Sequence, residues 1–140
     1  MKYLIDTCVF SEYRKPQPNK AVLVWVSSRP VEDLFISVLT IGELEKGILR
    51  LPGSQRRTDL IQFLEELKLR FAFTILDIDL PVMRRWAELA AHRESLGRPL
   101  PIVDSLIAAT ALEHDLVLVT RNEADFAGTG VSIKNIWNDL

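Results

Sequence analysis

The chain has 140 residues, enough for one domain with a single sizeable core and little left for a second. Hydrophobic residues at 48% and charged residues at 26% make an ordinary globular balance, which argues against disorder. A net charge of −2 weighs against nucleic-acid binding, which favours basic surfaces, unless several acids are gathered in one pocket. Setting four acids aside in such a pocket leaves 15 against 17 Lys and Arg, a mildly basic remainder.

The longest apolar run, Ala21 to Val26, is far too short to cross a bilayer, and only Tyr3-Leu4-Ile5 precedes Asp6, which leaves no signal-peptide core. Cys8 is the only cysteine, so an internal disulfide and a Cys-rich zinc site are both excluded. A soluble protein of a reducing cytoplasm, with no membrane partner, is the expectation.

In chain order, Lys2 to Asp6 is a short apolar run ending in an acid and reads as a buried strand. Val9 to Lys15 reads as a short helix stopped by Pro16-Gln17-Pro18, and Asn19 starts a second helix with Val22, Trp25 and Val26 on its apolar side. Leu34 to Ser37 is the next strand, followed at once by a helix through about Leu51 and a break at Pro52-Gly53. Ser54 opens a longer amphipathic helix with Leu60, Phe63, Leu64 and Leu67 on one side. Thr74 to Ile78 reads as a third strand, and Leu80 to about Leu96 as a helix ended by Gly97. A helix from Pro101 or Ile102 to His114 leads into Leu116 to Thr120, the clearest buried strand. A short turn or helix near Asn122 to Phe126 and a fifth strand near Val131 to Ile133 complete the pattern.

Strands alternating with helices predict right-handed crossovers and a mostly parallel sheet, an α/β fold with helices on both faces. In such sheets function gathers beyond the carboxyl ends of the strands. Four acids fall there. Asp6 ends the first strand and reads equally well as an N-cap or as a crevice carboxylate. Glu43 closes Thr40-x-x-Glu43, the form of a capping box, but also lies just beyond a strand end. Asp104 heads the stripe Ile107, Ala108, Ala111, Leu112, so it is expected to be partly buried, where an ionised carboxylate needs a partner or a metal. Asp125 and Asn122 are oxygen donors in the turn after the best strand.

Several carboxylates at one crevice repel one another, and a divalent cation relieves that cost. An all-oxygen donor set suits Mg²⁺ or Mn²⁺ better than zinc. With no Ser-His-Asp set and no P-loop in the sequence, metal-assisted hydrolysis is the chemistry that remains.

The segments Leu4-Ile5-Asp6-Thr7 with Ser11-Glu12-Tyr13-Arg14-Lys15-Pro16, Ser37-x-x-Thr40-x-Gly42-Glu43-x-x-x-Gly47, Pro101-Ile102-Val103-Asp104-Ser105-Leu106-Ile107-Ala108-Ala109-Thr110-Ala111, and Val119-Thr120-Arg121-Asn122-x-x-Asp125-Phe126 occur in this order over nearly the whole chain. Together they resemble the PIN-domain ribonucleases, particularly the VapC- and FitB-like toxins. The resemblance implies a single PIN domain over residues 1–140, a Rossmann-like α/β/α sandwich with a five-stranded sheet. It implies Mg²⁺- or Mn²⁺-dependent cleavage of RNA by a toxin paired with an antitoxin protein, and assembly as a homodimer.

By the same resemblance the catalytic and metal-binding acids are Asp6, Glu43, Asp104 and, on the last turn, Asp125, with Asn122 as an auxiliary ligand. Thr7, Ser105 and Thr120 match the small hydroxyl residues that steady carboxylates or metal waters. Two positions depart from the family's habit: Cys8 stands where Asn is common, and Ile136 precedes Trp137 where Pro is common. Neither removes a carboxylate, so activity is expected to survive.

Arg121, Arg85 and Arg93, the latter two in the basic run Arg84 to Arg98, are the expected RNA phosphate contacts, and the helices around Trp25 and Leu44 to Leu51 are candidate contact surfaces for partners. A receiver-type signalling domain would need paired acids after the first strand, and a haloacid-dehalogenase-type phosphatase Asp-x-Asp, where position 8 is Cys. The remaining alternatives are a non-catalytic PIN-like module that binds RNA or a partner, and a housekeeping RNA-processing nuclease.

Overall fold

The computed structural model describes residues 1–138. Its strands are β1 (Tyr3–Ile5), β2 (Leu34–Ser37), β3 (Ile75–Leu76), β4 (Val117–Val119) and β5 (Ile133–Lys134). Its helices are α1 (Thr7–Glu12), α2 (Lys20–Ser27), α3 (Val38–Leu49), α4 (Gln55–Arg70), α5 (Leu80–Ser95), α6 (Ile102–Glu113) and α7 (Glu123–Phe126). The strands form one five-stranded sheet in the order β3-β2-β1-β4-β5, and every pairing is parallel. This is the expected α/β architecture, with the third strand shortened to Ile75–Leu76 and the fifth, expected near Val131 to Ile133, lying at Ile133–Lys134.

The period of two in a strand divides the interior into two cores. Tyr3 and Ile5 of β1, and Leu34 and Ile36 of β2, point into the larger one with Phe10, Val22, Trp25, Leu64 and Phe71. Leu4 and Leu118 point the other way, against Leu89, Ile107, Ala108 and Phe126. Helices α1 to α4 therefore cover one face and α5 and α6 the other. Small residues on α6 (Ala108, Ala109 and Ala111, all at most 1% exposed) let this helix lie close to the sheet and to α5. Trp25, Leu44 and Ile48, expected as candidate contact surfaces, are core residues at 5%, 2% and 3% exposure; of that segment only Leu49 stands well into solvent among the apolar side chains. No helix among the described residues is long and apolar enough to cross a membrane.

The winding direction of the sheet reverses between β1 and β4. From β1 the chain steps outward to β2 and β3, and from β4 it steps the opposite way to β5. Crossover connections on either side of such a point leave opposite faces of the sheet, opening a crevice at the carboxyl ends of the two central strands.

Candidate active site

Asp6 follows β1 directly and caps α1, its Oδ1 accepting from the amide of Thr7 at 2.8 Å. Its Oδ2 accepts from the hydroxyl of Thr120, the residue after β4, also at 2.8 Å. The two readings of Asp6 are thus compatible: one oxygen caps the helix and the other faces the crevice. Thr120 in turn accepts from the amide of Asn122 at 3.1 Å, which fixes the start of the last turn. The thiol of Cys8 lies 3.8 Å from Asp6 Oδ2 and 3.6 Å from Thr120 Oγ1. Burial first, and then the charge of Asp6, push this thiol above its usual range.

Glu43 is not part of a capping box. The strand β2 runs into α3 without a loop, and the N-cap is Ser37, whose hydroxyl accepts from Leu39 N at 3.1 Å. Thr40 therefore lies inside the helix, fully buried, and Glu43 projects from its second turn into solvent. There it accepts a 2.7 Å hydrogen bond from the hydroxyl of Thr7, which also lies 3.4 Å from that of Thr40. A hydroxyl has one proton, and the carboxylate at the shorter distance takes it.

Asp104 stands in the first turn of α6, half-buried as expected. Its carboxyl is pushed above the usual carboxylate range by burial and then by the charges of Asp125, Asp6 and Glu43. Asp104 thus feels the charge of three acids that come from three other segments of the chain. Asp125 is exposed on α7 and acts on Asp104 more strongly than the other two acids. Its neighbour Glu123 is turned to Asn135, whose side-chain amide donates to it at 3.1 Å. Among the described residues no three His, Cys, Asp or Glu side chains stand close enough together to hold a metal ion as they are placed.

Of the other expected residues, Thr7 and Thr120 reach the acids and Asn122 contributes its backbone amide. Ser105 does not: its hydroxyl accepts from the indole of Trp86 at 2.8 Å and donates to Ile102 O at 2.7 Å, locking the first turn of α6 to α5. Arg121 is exposed at the rim, its guanidinium 5.8 Å from the ring centre of Trp137. Arg85 faces Glu113 at 3.6 Å, and Arg93 donates to Arg98 O at 2.9 Å, so both have structural partners. A cleft of about 500 Å³ lies beside Arg85 and Glu113. Glu113 is nine residues along α6 from Asp104, roughly 14 Å of helix, so this cleft is remote from the acids.

Sequence reasoning gave no role to Trp86 or to the buried Glu12, and read Thr40 only as the start of a capping box. Glu12 accepts from Lys15 Nζ at 2.9 Å, Asn19 N at 2.9 Å and Trp137 Nε1 at 3.2 Å, joining the end of α1 to the last described turn. No local pattern marks such partners, 19 residues apart for Trp86 and Ser105 and 125 for Glu12 and Trp137.

Comparison with known proteins identifies the family. The family model described as PIN domain matches residues 3–131. Toxin FitB of Neisseria gonorrhoeae is 36% identical over 97% of this chain and 99% of its own length. The VapC ribonuclease Y4jK of Sinorhizobium fredii is also 36% identical, over 96% of each. The crystal structure of FitAcB from Neisseria gonorrhoeae superposes with a TM-score of 0.91 at 34% identity, covering 97% of this chain and 99% of that one. With the family model matched over nearly the whole length and the sheet order shared with a solved relative's fold, the chain belongs to the PIN-domain family.

Proposed function

We propose that the protein is a Mg²⁺- or Mn²⁺-dependent endoribonuclease, acting as the toxin of a toxin–antitoxin pair. The observation that carries this reading is Asp104, a half-buried carboxyl repelled by Asp125, Asp6 and Glu43 with no cationic side chain among the groups that act on it, beside Asp6 and Glu43 held by the hydroxyls of Thr120 and Thr7. A structural carboxylate is placed against donors; grouped carboxylates at a sheet switch point are what a hard divalent cation needs. The donor set is all oxygen, which suits Mg²⁺ or Mn²⁺, ions that retain several waters and need few protein ligands. When bound, such an ion acidifies a water for attack on phosphorus and offsets charge on the phosphate.

The roles of the chain's own residues follow from their contacts. Asp6, Glu43, Asp104 and Asp125 hold the ion, with Asn122 beside them on the last turn. Thr120 orients Asp6, Thr7 orients Glu43, and each hydroxyl restricts its carboxylate to one rotamer. Arg121 is the rim contact for RNA phosphate. Arg85 and Arg93 are secondary in that role because each already serves a structural partner.

The name of the VapC ribonuclease Y4jK supports RNA as substrate, and the solved relative described as VapBC-5, of the VapBC family of toxin-antitoxin systems, supports an antitoxin protein as partner. Assembly as a homodimer would cover the apolar side chains that α5 and the start of α6 expose, Leu80 at 82% and Ile102 at 64%.

The test is cleavage of a mixed RNA pool by purified protein in Mg²⁺, in Mn²⁺ and in EDTA, with Asp104→Asn alongside. Metal-dependent cutting that Asp104→Asn abolishes is the expected result. Folded, partner-free protein that binds RNA but cuts under no metal would replace the nuclease with a binding module.

A further inference from the structure

Beyond the acids, α1 and α4 enclose a cleft of about 450 Å³ lined by Tyr13, Arg14, Arg56, Asp59, Leu60 and Phe63. Arg56, Leu60 and Phe63 recur at helical spacing, so α4 presents them along one face. The rings of Tyr13 and Phe63 lie 6.0 Å apart at 30°, forming an aromatic wall. Neither Arg14 nor Arg56 takes part in an ion pair among the described residues. The single acid of the cleft, Asp59, is already engaged, accepting from Gln55 Nε2 at 2.7 Å. The cleft therefore combines two uncommitted guanidinium groups with an aromatic surface.

Its location ties it to the acids. At the start of α1, Thr7 donates to Glu43 of α3. Past the end of α1, Arg14 lies against the same helix at Gly47, where a Cβ would stand 3.5 Å from its Nη1. Glu43 and Gly47 are four residues apart and share a helix face. The guanidinium of Arg14, one wall of the cleft, thus meets α3 about one helical turn, ~5.4 Å of rise, from the position of Glu43.

We propose that this cleft is a nucleotide subsite for single-stranded RNA, taking a base on the Tyr13–Phe63 wall and its flanking phosphates on Arg14 and Arg56. The proposal rests on the ribonuclease reading above. Guanidinium forks match phosphate oxygens, and aromatic faces stack on any base, so the subsite positions the strand without reading its sequence. The strand would run along α3 from Gly47 to Glu43, bringing the next phosphodiester to the acids.

The experiment is fluorescence anisotropy of a short labelled single-stranded RNA across a salt series in Mg²⁺. Asp104→Asn serves as common background so that nothing is cut. Adding Arg56→Ala, at an exposed position, is expected to lower the log–log salt slope by about 0.7, the value for one phosphate contact on a single strand. Tyr13→Ala is expected to weaken binding roughly 5- to 150-fold. Arg14 is half-buried, so Arg14→Lys accompanies Arg14→Ala: the lysine keeps the slope, the alanine loses it, and circular dichroism checks both folds. Unchanged slopes for Arg56→Ala and Arg14→Ala would overturn the subsite. So would variants that bind RNA normally but fail to bind a co-expressed partner protein, since the cleft would then be a protein interface. Cleavage by the otherwise wild-type chain is measured separately, so loss of the nuclease reading is distinguished from loss of the subsite.

Discussion

Glu12 and Asp104 are both carboxylates withdrawn from bulk water, and their surroundings treat them in opposite ways. Burial opposes the charge of Glu12, but the ammonium of Lys15, the amide of Asn19 and the indole of Trp137 outweigh it and hold the carboxyl below the usual range. Burial also opposes the charge of Asp104, and there the neighbours Asp125, Asp6 and Glu43 add to the penalty. The first acid closes a structural joint between α1, the following loop and the last described turn. The second is held in a state that ordinary packing would avoid. A carboxylate surrounded by donors stabilises the fold; one surrounded by carboxylates costs stability, and that cost marks where a cation and a phosphate would be received.

Substituting each acid breaks the comparison in a different direction. Asp104→Asn is expected to lower RNA cleavage by more than about 100-fold, beyond the roughly 10- to 100-fold typical of groups that only support a metal ligand. The same variant should unfold at higher urea than wild type at neutral pH in EDTA. The sign follows from the raised folded-state pKa: ionisation is disfavoured in the fold, so the penalty is absent below the unfolded value near 3.9 and grows in as pH rises through the folded value. The two urea midpoints should therefore converge on acidification, and a gap that persists at low pH would refute this account.

Glu12→Ala should act on stability instead, lowering it by about 3 kcal/mol by leaving the Asn19 amide and Trp137 indole without their acceptor. Its pH dependence is the reverse. A depressed folded pKa contributes stability that is present above the unfolded value near 4.3 and lost as pH falls through the folded one. Wild type and Glu12→Gln should thus draw together in acid, as followed by urea unfolding monitored through circular dichroism.

Thr7→Val sharpens the contrast within the active site, removing the 2.7 Å hydrogen bond to Glu43 while leaving the acid in place. A loss of about 10-fold in kcat with little change in stability is expected, and no loss would make Thr7 incidental. The smallest effect should come from Cys8→Ser. The thiol's contacts at 3.6 and 3.8 Å are weak, and the serine hydroxyl can still donate, so the cleavage rate should change by less than about threefold.

Much of this was legible in the chain itself. Apolar runs ending in Asp6 and Ser37, and the run from Leu116 to Thr120, located three strands, and the rule that parallel sheets work at their carboxyl ends pointed to the acids beyond them. Local pattern failed where the decisive partner is remote or the junction unusual. Thr40-x-x-Glu43 imitates a capping box, but β2 passes straight into α3 and Ser37 takes the cap. Ser105 is next to Asp104, yet the indole of Trp86 claims its hydroxyl. Arg93 lies on a basic run, but it bonds to Arg98 O and its Nη1 would stand 2.9 Å from a Cβ at Gly128, which ties it to the loop beyond α7. Trp25 and Leu44 lie on amphipathic helices whose apolar sides pattern alone assigns equally to a core or to a partner, and the sheet covers them.

The sheet order also governs when these acids meet. The strand made first, β1, sits at the centre, and its neighbour β4 pairs Tyr3 with Val117. During synthesis Asp6 and Glu43 emerge well before Asp104 and Asp125, and the crevice has no second wall until β4 joins β1. Closing a loop of that length comes late and delays folding. A partly made chain therefore carries scattered carboxylates, and the four share one side of the sheet only after β4 has joined β1.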